Sequence, residues 1–196
     1  MSKKELVLLQ DSEVMPSKFQ ILWKLEQQLI ALKTRLLEDS KTRFTHLPIE
    51  LFLSSWKISR GENYRQNPYR VLDYPSAFSK ENIFTFRTLI LWGYPIGFHL
   101  ILKGIHKELF RAAILSNYTQ LPSDYYISQQ NNPWIWEADD SDLISLSQLH
   151  KSLCRKIIDE RNFIRLSYFL PLKNYDQIPQ VGAETWVNLY QVLTMQ

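Results

Sequence analysis

Three observations predict an α+β fold. An apolar run at residues 83–102 folds back as a hairpin, a stripe of leucines begins just after Ser17, and short strand segments alternate with further helices. The architecture expected is a mostly antiparallel sheet of four to six strands. A long N-terminal helix and two or three further helices pack on one of its faces.

Residues 1–16 are expected to be a flexible N-terminal segment, ahead of a single α+β domain over 17–196. Ser17 with Gln20 three positions on is a capping-box pattern, and Pro16 sits just before it. Leu22, Leu25, Leu29, Leu32 and Leu36 then follow at spacings of three and four, and Phe19, Trp23, Ile30 and Leu37 widen the stripe. A broad stripe suits a helix lying on a core, with a dimer seam as the alternative. Pro48 fits the first turn of a short helix over residues 48–55, and residues 56–59 read as extended.

The stretch RGENYRQNPYRVLDYP, residues 60–75, follows. Its prolines bias Asn67 and Tyr74 to extended geometry, and its plain reading is a long surface loop held down by its own tyrosines and arginines. In the apolar run, Phe84, Phe86, Thr88, Ile90 and Trp92 share one face by period two. With Gly93, Tyr94 and Pro95 as the turn, Ile96, Phe98, Leu100 and Leu102 continue that face. Thr85, Arg87, Leu89, His99, Ile101 and Lys103 lie opposite, with Leu89 expected to pair His99 and Arg87 on the diagonal.

Residues 105–117 read as a helix and residues 125–129 as a strand, followed by an Asn-Asn-Pro turn at 131–133. A second amphipathic helix is expected over 143–161 and a strand over 163–170, closed by Pro171. A loop containing Pro179 and Gly182 leads to a last helix over 183–193.

Composition is that of a globular protein, at 45% hydrophobic and 13% aromatic residues. Residues 1–98 carry 14 basic and 10 acidic groups, and residues 99–196 carry 9 and 10, so no basic arm or acidic tail is present. The single cysteine, Cys154, excludes an intrachain disulfide and reads as a small buried hydrophobe. Arg87, His99, Pro95 and two glycines interrupt the apolar run as a membrane span, and no secretory signal is seen. A soluble, cytoplasmic protein is expected.

Three sets of residues could carry chemistry. Arg60, Arg65, Tyr69 and Arg70 could hold an anionic ligand, because guanidinium forks match phosphate and carboxylate. Arg87 and Lys103 share the second hairpin face with His99, a weak candidate for acid or base. Glu137 and Asp139, in an acidic cluster with Asp140 and Asp142, are candidate bases or partners of Arg65 or Arg70, though the acids also suit capping of the next helix. The histidines, His46, His99, His106 and His150, show no metal-ligand spacing, so neither metal nor cofactor is expected.

A non-enzymatic protein-interaction or self-associating domain is the first expectation, a homodimer included. An enzyme or binding protein for an anionic small ligand comes second. Nucleic-acid binding ranks last, because Glu62 and Asp73 offset the arginine-rich stretch.

Overall fold

The computed structural model describes residues 1–42, 47–48, 50–51, 56–135 and 142–195. Among the described residues seven strands form one antiparallel sheet: β1 (Lys57–Tyr64), β2 (Asn67–Phe78), β3 (Ile83–Leu91), β4 (Ile96–Lys103), β5 (Tyr126–Ser128), β6 (Leu143–Ser145) and β7 (Phe163–Leu170). Their order is β1-β2-β3-β4-β7-β5-β6. The helices are α1 (Lys3–Gln10), α2 (Val14–Thr42), α3 (Ile105–Asn117), α4 (Lys151–Glu160) and α5 (Ile178–Thr194). The α+β class holds, with one strand beyond the expected range. Among the described residues no helix is long and apolar enough to cross a membrane.

The core lies on the face presented by even-numbered residues of the central strands. Phe84, Phe86, Ile90, Phe98, Leu100, Leu102, Ile164 and Leu166 are buried there, and α2, α3 and α5 cover them. Leu22, Leu25, Leu29, Leu32 and Leu36 are buried along α2, as the three-four spacing requires. Trp186 of α5 is fully buried against Phe86, ring centroids 5.2 Å apart, and meets Phe84 edge-on at 6.3 Å. Gly182 brings α5 close to the sheet and to α2: a Cβ there would stand 2.7 Å from a Leu32 methyl and 2.9 Å from the Phe98 ring.

Several local expectations need correction. Residues 60–75 are not a loop but most of the β1–β2 hairpin. Its two-residue turn, Arg65–Gln66, has positive φ at both positions (48° and 65°), a primed turn whose twist matches the flanking strands. The usual Asn-Gly signature is missing, which hid it from the sequence. In the β3–β4 hairpin the alternation of faces holds within the strands, but Trp92 falls in the turn, exposed, and the register differs by two residues: Arg87 pairs His99 and Leu89 pairs Gly97. Four residues, 92–95, separate the strands rather than three.

The long helix starts at Val14, with Pro16 in its first turn rather than ahead of a Ser17 cap. Phe19 and Trp23 are exposed instead of widening the buried stripe. Residues 143–145 are strand β6 and 146–148 a 3₁₀ turn, so α4 is shorter than the helix expected over 143–161. Pro179 and Gly182 lie inside α5, where Pro179 fills the first turn. The N-terminal segment expected to be flexible contains α1, with Ser2 and Glu5 forming a reciprocal capping box. Residues 49 and 52–55 of the short helix expected at 48–55 lie outside the described residues, as do His46, Glu137, Asp139 and Asp140.

Candidate functional site

The sheet face turned away from the helices carries polar groups in register. Asp73 of β2 pairs Arg87 of β3, Arg87 pairs His99 of β4, His99 pairs Ser167 of β7, and Ser167 pairs Tyr126 of β5. Period two puts all five on one face, and antiparallel pairing lines them up across the sheet. The first four are buried.

Asp73 is fully committed. Arg87 Nε donates to its Oδ1 at 2.7 Å and Nη2 to its Oδ2 at 2.9 Å, while the Thr85 hydroxyl donates to Oδ1 at 3.2 Å. This two-point geometry suits a guanidinium fork and makes the burial of both charges tolerable. Trp134 lies on the guanidinium, 4.3 Å from ring centroid to Cζ. One step along, Arg165 of β7 donates to Ser128 Oγ at 3.1 Å and Gln130 Oε1 at 3.0 Å, and also to the carbonyls of Pro133 and Ile135. The segment after β5 is thereby clamped over this face.

His99 sits between the two arginines. Its Nδ1 lies 2.9 Å from Ser167 Oγ, and its ring meets Phe169 edge-on at 5.6 Å. The imidazole occupies the space a side chain at position 97 would take: a Cβ on Gly97 would stand 2.2 Å from His99 Nε2. Burial first, then the charges of Arg165 and Arg87, hold the imidazole well below its ordinary value of 6.5, so it is neutral at pH 7. Burial also lowers Arg165, to about 10, against the opposing pull of Asp142 and Tyr64. Among the described residues His99 Nε2 has no hydrogen-bond partner, and neither does the buried Arg165 Nε.

What this row can do chemically is limited by its commitments. A hydroxyl beside an imidazole suggests a nucleophile and base, but such a pair needs an open hydroxyl and a group orienting the far ring nitrogen. Ser167 is sealed and Asp73 is occupied by Arg87. Asp73 and Ser167 are thus committed to their neighbours in the row, while His99 Nε2, and Arg165 Nε beside the row, have no partner among the described residues.

The residues singled out from sequence fall on both sides of the sheet. Arg87 and His99 come together as adjacent partners. Arg60 and Arg70 pair across β1 and β2 on the helix face, where both engage Glu26 of α2: Arg60 Nε donates to its Oε2 at 2.7 Å, and Arg70 Nε lies 3.4 Å from it. The Arg60 hydrogen bond is the main reason the Glu26 carboxyl is held below its ordinary value. Arg70 also reaches Glu62 Oε1 at 3.4 Å and the Tyr69 carbonyl at 2.8 Å. The sheet itself therefore separates Arg70 from Arg87 and His99. Arg65 is in the primed turn. Tyr69 lies over Gly61 and packs edge-on against Tyr64, centroids 6.4 Å apart. Lys103 donates to the Lys80 carbonyl at 2.9 Å. The proposed links from Arg65 or Arg70 to Glu137 or Asp139 lie outside the described residues.

Sequence reading missed Glu26, Asp73, Arg165 and Ser167. The alternation FIRLSYF, with Arg165 and Ser167 opposite Ile164 and Leu166, was the available signal. Among the described residues no three His, Cys, Asp or Glu side chains converge as metal ligands. No family model matches the chain, and neither does any curated protein or solved structure.

Proposed function

We propose that this chain is a protein-interaction or self-associating domain that works through the apolar surface of α1 and the first turns of α2. One observation carries the reading. The α1 helix buries no residue, and its Leu6, Val7, Leu8 and Leu9 are 42%, 65%, 48% and 71% exposed. An eight-residue helix is below the roughly 12–15 residues at which isolated helices become even marginal in water. Its capping box helps, but the four apolar side chains together call for a covering surface. Met15, Phe19 and Trp23 extend the exposed set onto α2 at spacings of four. Large aromatic side chains left in water beside a helix are the usual anchors of an interface.

The test is a photo-crosslinking residue placed singly at Val7, Leu9, Phe19 or Trp23, with Lys80 as a polar control position. Discrete adducts from the apolar positions and none from position 80 are expected. Absence of any discrete adduct at all four would overturn the reading.

A second reading, a site for a small anion beside Arg165 and His99, draws on the two unpartnered nitrogens there. Inorganic phosphate would then raise the melting temperature and shift the His99 ring resonances. Unchanged resonances would remove this alternative.

A further inference from the structure

Arg165 is a buried guanidinium without a carboxylate of its own. It is 3% exposed, and its hydrogen bonds among the described residues go to uncharged oxygens, those of Ser128, Gln130, Pro133 and Ile135. Asp142 is near enough to be felt, but its carboxylate accepts from Gln130 Nε2 at 3.0 Å. Arg87, by contrast, is neutralised by Asp73. One positive charge is thus left where an unpaired charge is costly, and its Nε–H has no acceptor. We infer that a small carboxylate completes the site, one oxygen on Arg165 Nε–H and the other on His99 Nε2–H, an inference that rests on the small-anion reading above.

The imidazole is set to donate. Among the described residues the fully buried Ser167 hydroxyl has one hydrogen-bond partner, His99 Nδ1. A buried hydroxyl gives its proton to the acceptor in reach, so Ser167 donates to Nδ1 and the neutral ring carries its own proton on Nε2. That nitrogen stands over Gly97. Arg165 is the diagonal neighbour of His99 across β4 and β7, the two positions roughly 7–8 Å apart, within reach of long side chains. After burial itself, Arg165 acts on the imidazole more than Arg87 does. Arg165 also feels Tyr64, which packs against Val71, Leu89 and Leu91, and Leu89 is the cross-strand partner of Gly97. The two unused donors are thereby brought to the same end of the row.

Charge and donor count select the class of ligand. A carboxylate brings one negative charge and two oxygens, matching one unpaired guanidinium and two N–H groups. A phosphate group carries about −1.5 to −2 charges at pH 7 and three strong acceptor oxygens, so part of it would be buried without partners. The cover limits size. Arg165 holds the carbonyls of Pro133 and Ile135, and Trp134 lies on Arg87. Among the described residues the backbone of 131–135 makes no backbone hydrogen bond to a strand, so these side-chain contacts hold the segment and their release admits a small free acid.

The test is a titration of the nitrogen-15-labelled full chain with acetate at pH 7.5, with inorganic phosphate in parallel. Before any addition, the His99 ring should show the neutral tautomer protonated on Nε2. Acetate is expected to shift the Arg165 Nε–H and His99 Nε2 resonances saturably and to bind at least about 10-fold more tightly than phosphate, while the exposed His150 ring stays unmoved. His99→Leu removes the donor and should weaken acetate at least about 10-fold. If that variant melts below the titration temperature, the parent's resonances decide alone. A ring protonated on Nδ1, or a folded variant that binds acetate as well as the parent, would overturn the carboxylate assignment. Phosphate that shifts both resonances as readily as acetate would sink this inference and leave the small-anion reading standing. Resonances unmoved by either ion would sink both.

Discussion

Asp73 and Arg87 face each other on neighbouring strands as a two-point ion pair, at 2.7 and 2.9 Å, with both side chains nearly sealed from water. The pair anchors one end of the polar row and, through Trp134, the segment that covers it.

Removing one partner leaves the other charge buried and alone. Asp73→Ala is expected to cost about 3–5 kcal/mol in urea unfolding, more than replacing both residues together with Asp73→Leu and Arg87→Met. A double variant whose loss equals the sum of the Asp73→Leu and Arg87→Met losses measured singly would show that the two side chains are not coupled.

The stability of the fold should fall in mild acid. The imidazole of His99 is held below 6.5 by burial and by Arg165 and Arg87, and burial lowers that of His106 in the same direction. The unfolded chain therefore binds protons first as pH drops. The contribution of each ring is complete above 6.5 and is lost as pH falls from there toward the folded value, by up to about 1.4 kcal/mol per pH unit per ring. Glu26 and Glu62 add to the loss only below their ordinary 4.5. A His99→Gln variant should flatten the stability curve between pH 6.5 and 4.5, and an unchanged slope would contradict the burial of a neutral ring.

Gly97 is required by its neighbour rather than by its backbone. A methyl at this position overlaps the His99 ring, so Gly97→Ala should displace the imidazole from Ser167 and destabilise the fold by about 1–3 kcal/mol. The same substitution in a His99→Ala background should cost much less. Equal costs in both backgrounds would place the clash elsewhere.

Cys154 is fully buried in α4 and its thiol is pushed up to about 11 by that burial. At pH 8 about one molecule in a thousand would carry the reactive thiolate, in a place no reagent reaches. Iodoacetamide should leave the native protein unlabelled and modify Cys154 on unfolding. Rapid native labelling would mean that α4 opens readily.

Much of the fold was legible because it is written in local periods. The leucines of α2 and the alternation of β3 and β4 each specify one buried face without reference to any other segment, and β7 and α3 were bounded correctly for the same reason. The β1–β2 hairpin was not legible, since Arg65 and Gln66 adopt a turn that ordinarily announces itself with glycine. Leu143, Ile144 and Leu146 follow a helical spacing, yet pairing with β5 makes the first two a strand. Intrinsic preference yields to a neighbour's hydrogen bonds there.

The candidate site was only half visible. Arg87 and His99 could be placed on one face from the alternation alone, but their direct pairing depended on a four-residue turn. Ser167 entered the row through a strand 68 residues from His99, Asp73 through a neighbouring strand that reads as loop, and Arg70 left it by falling on the opposite face.

By itself, then, the sequence determined the fold class, the buried stripe of α2 and the two faces of the central hairpin, because those are short-range consequences of side-chain spacing. Tertiary structure decided which polar groups share that second face and that α1 remains uncovered. Those outcomes depend on strand order and register, which arise only when remote segments compete for the same hydrogen bonds and the same apolar surface.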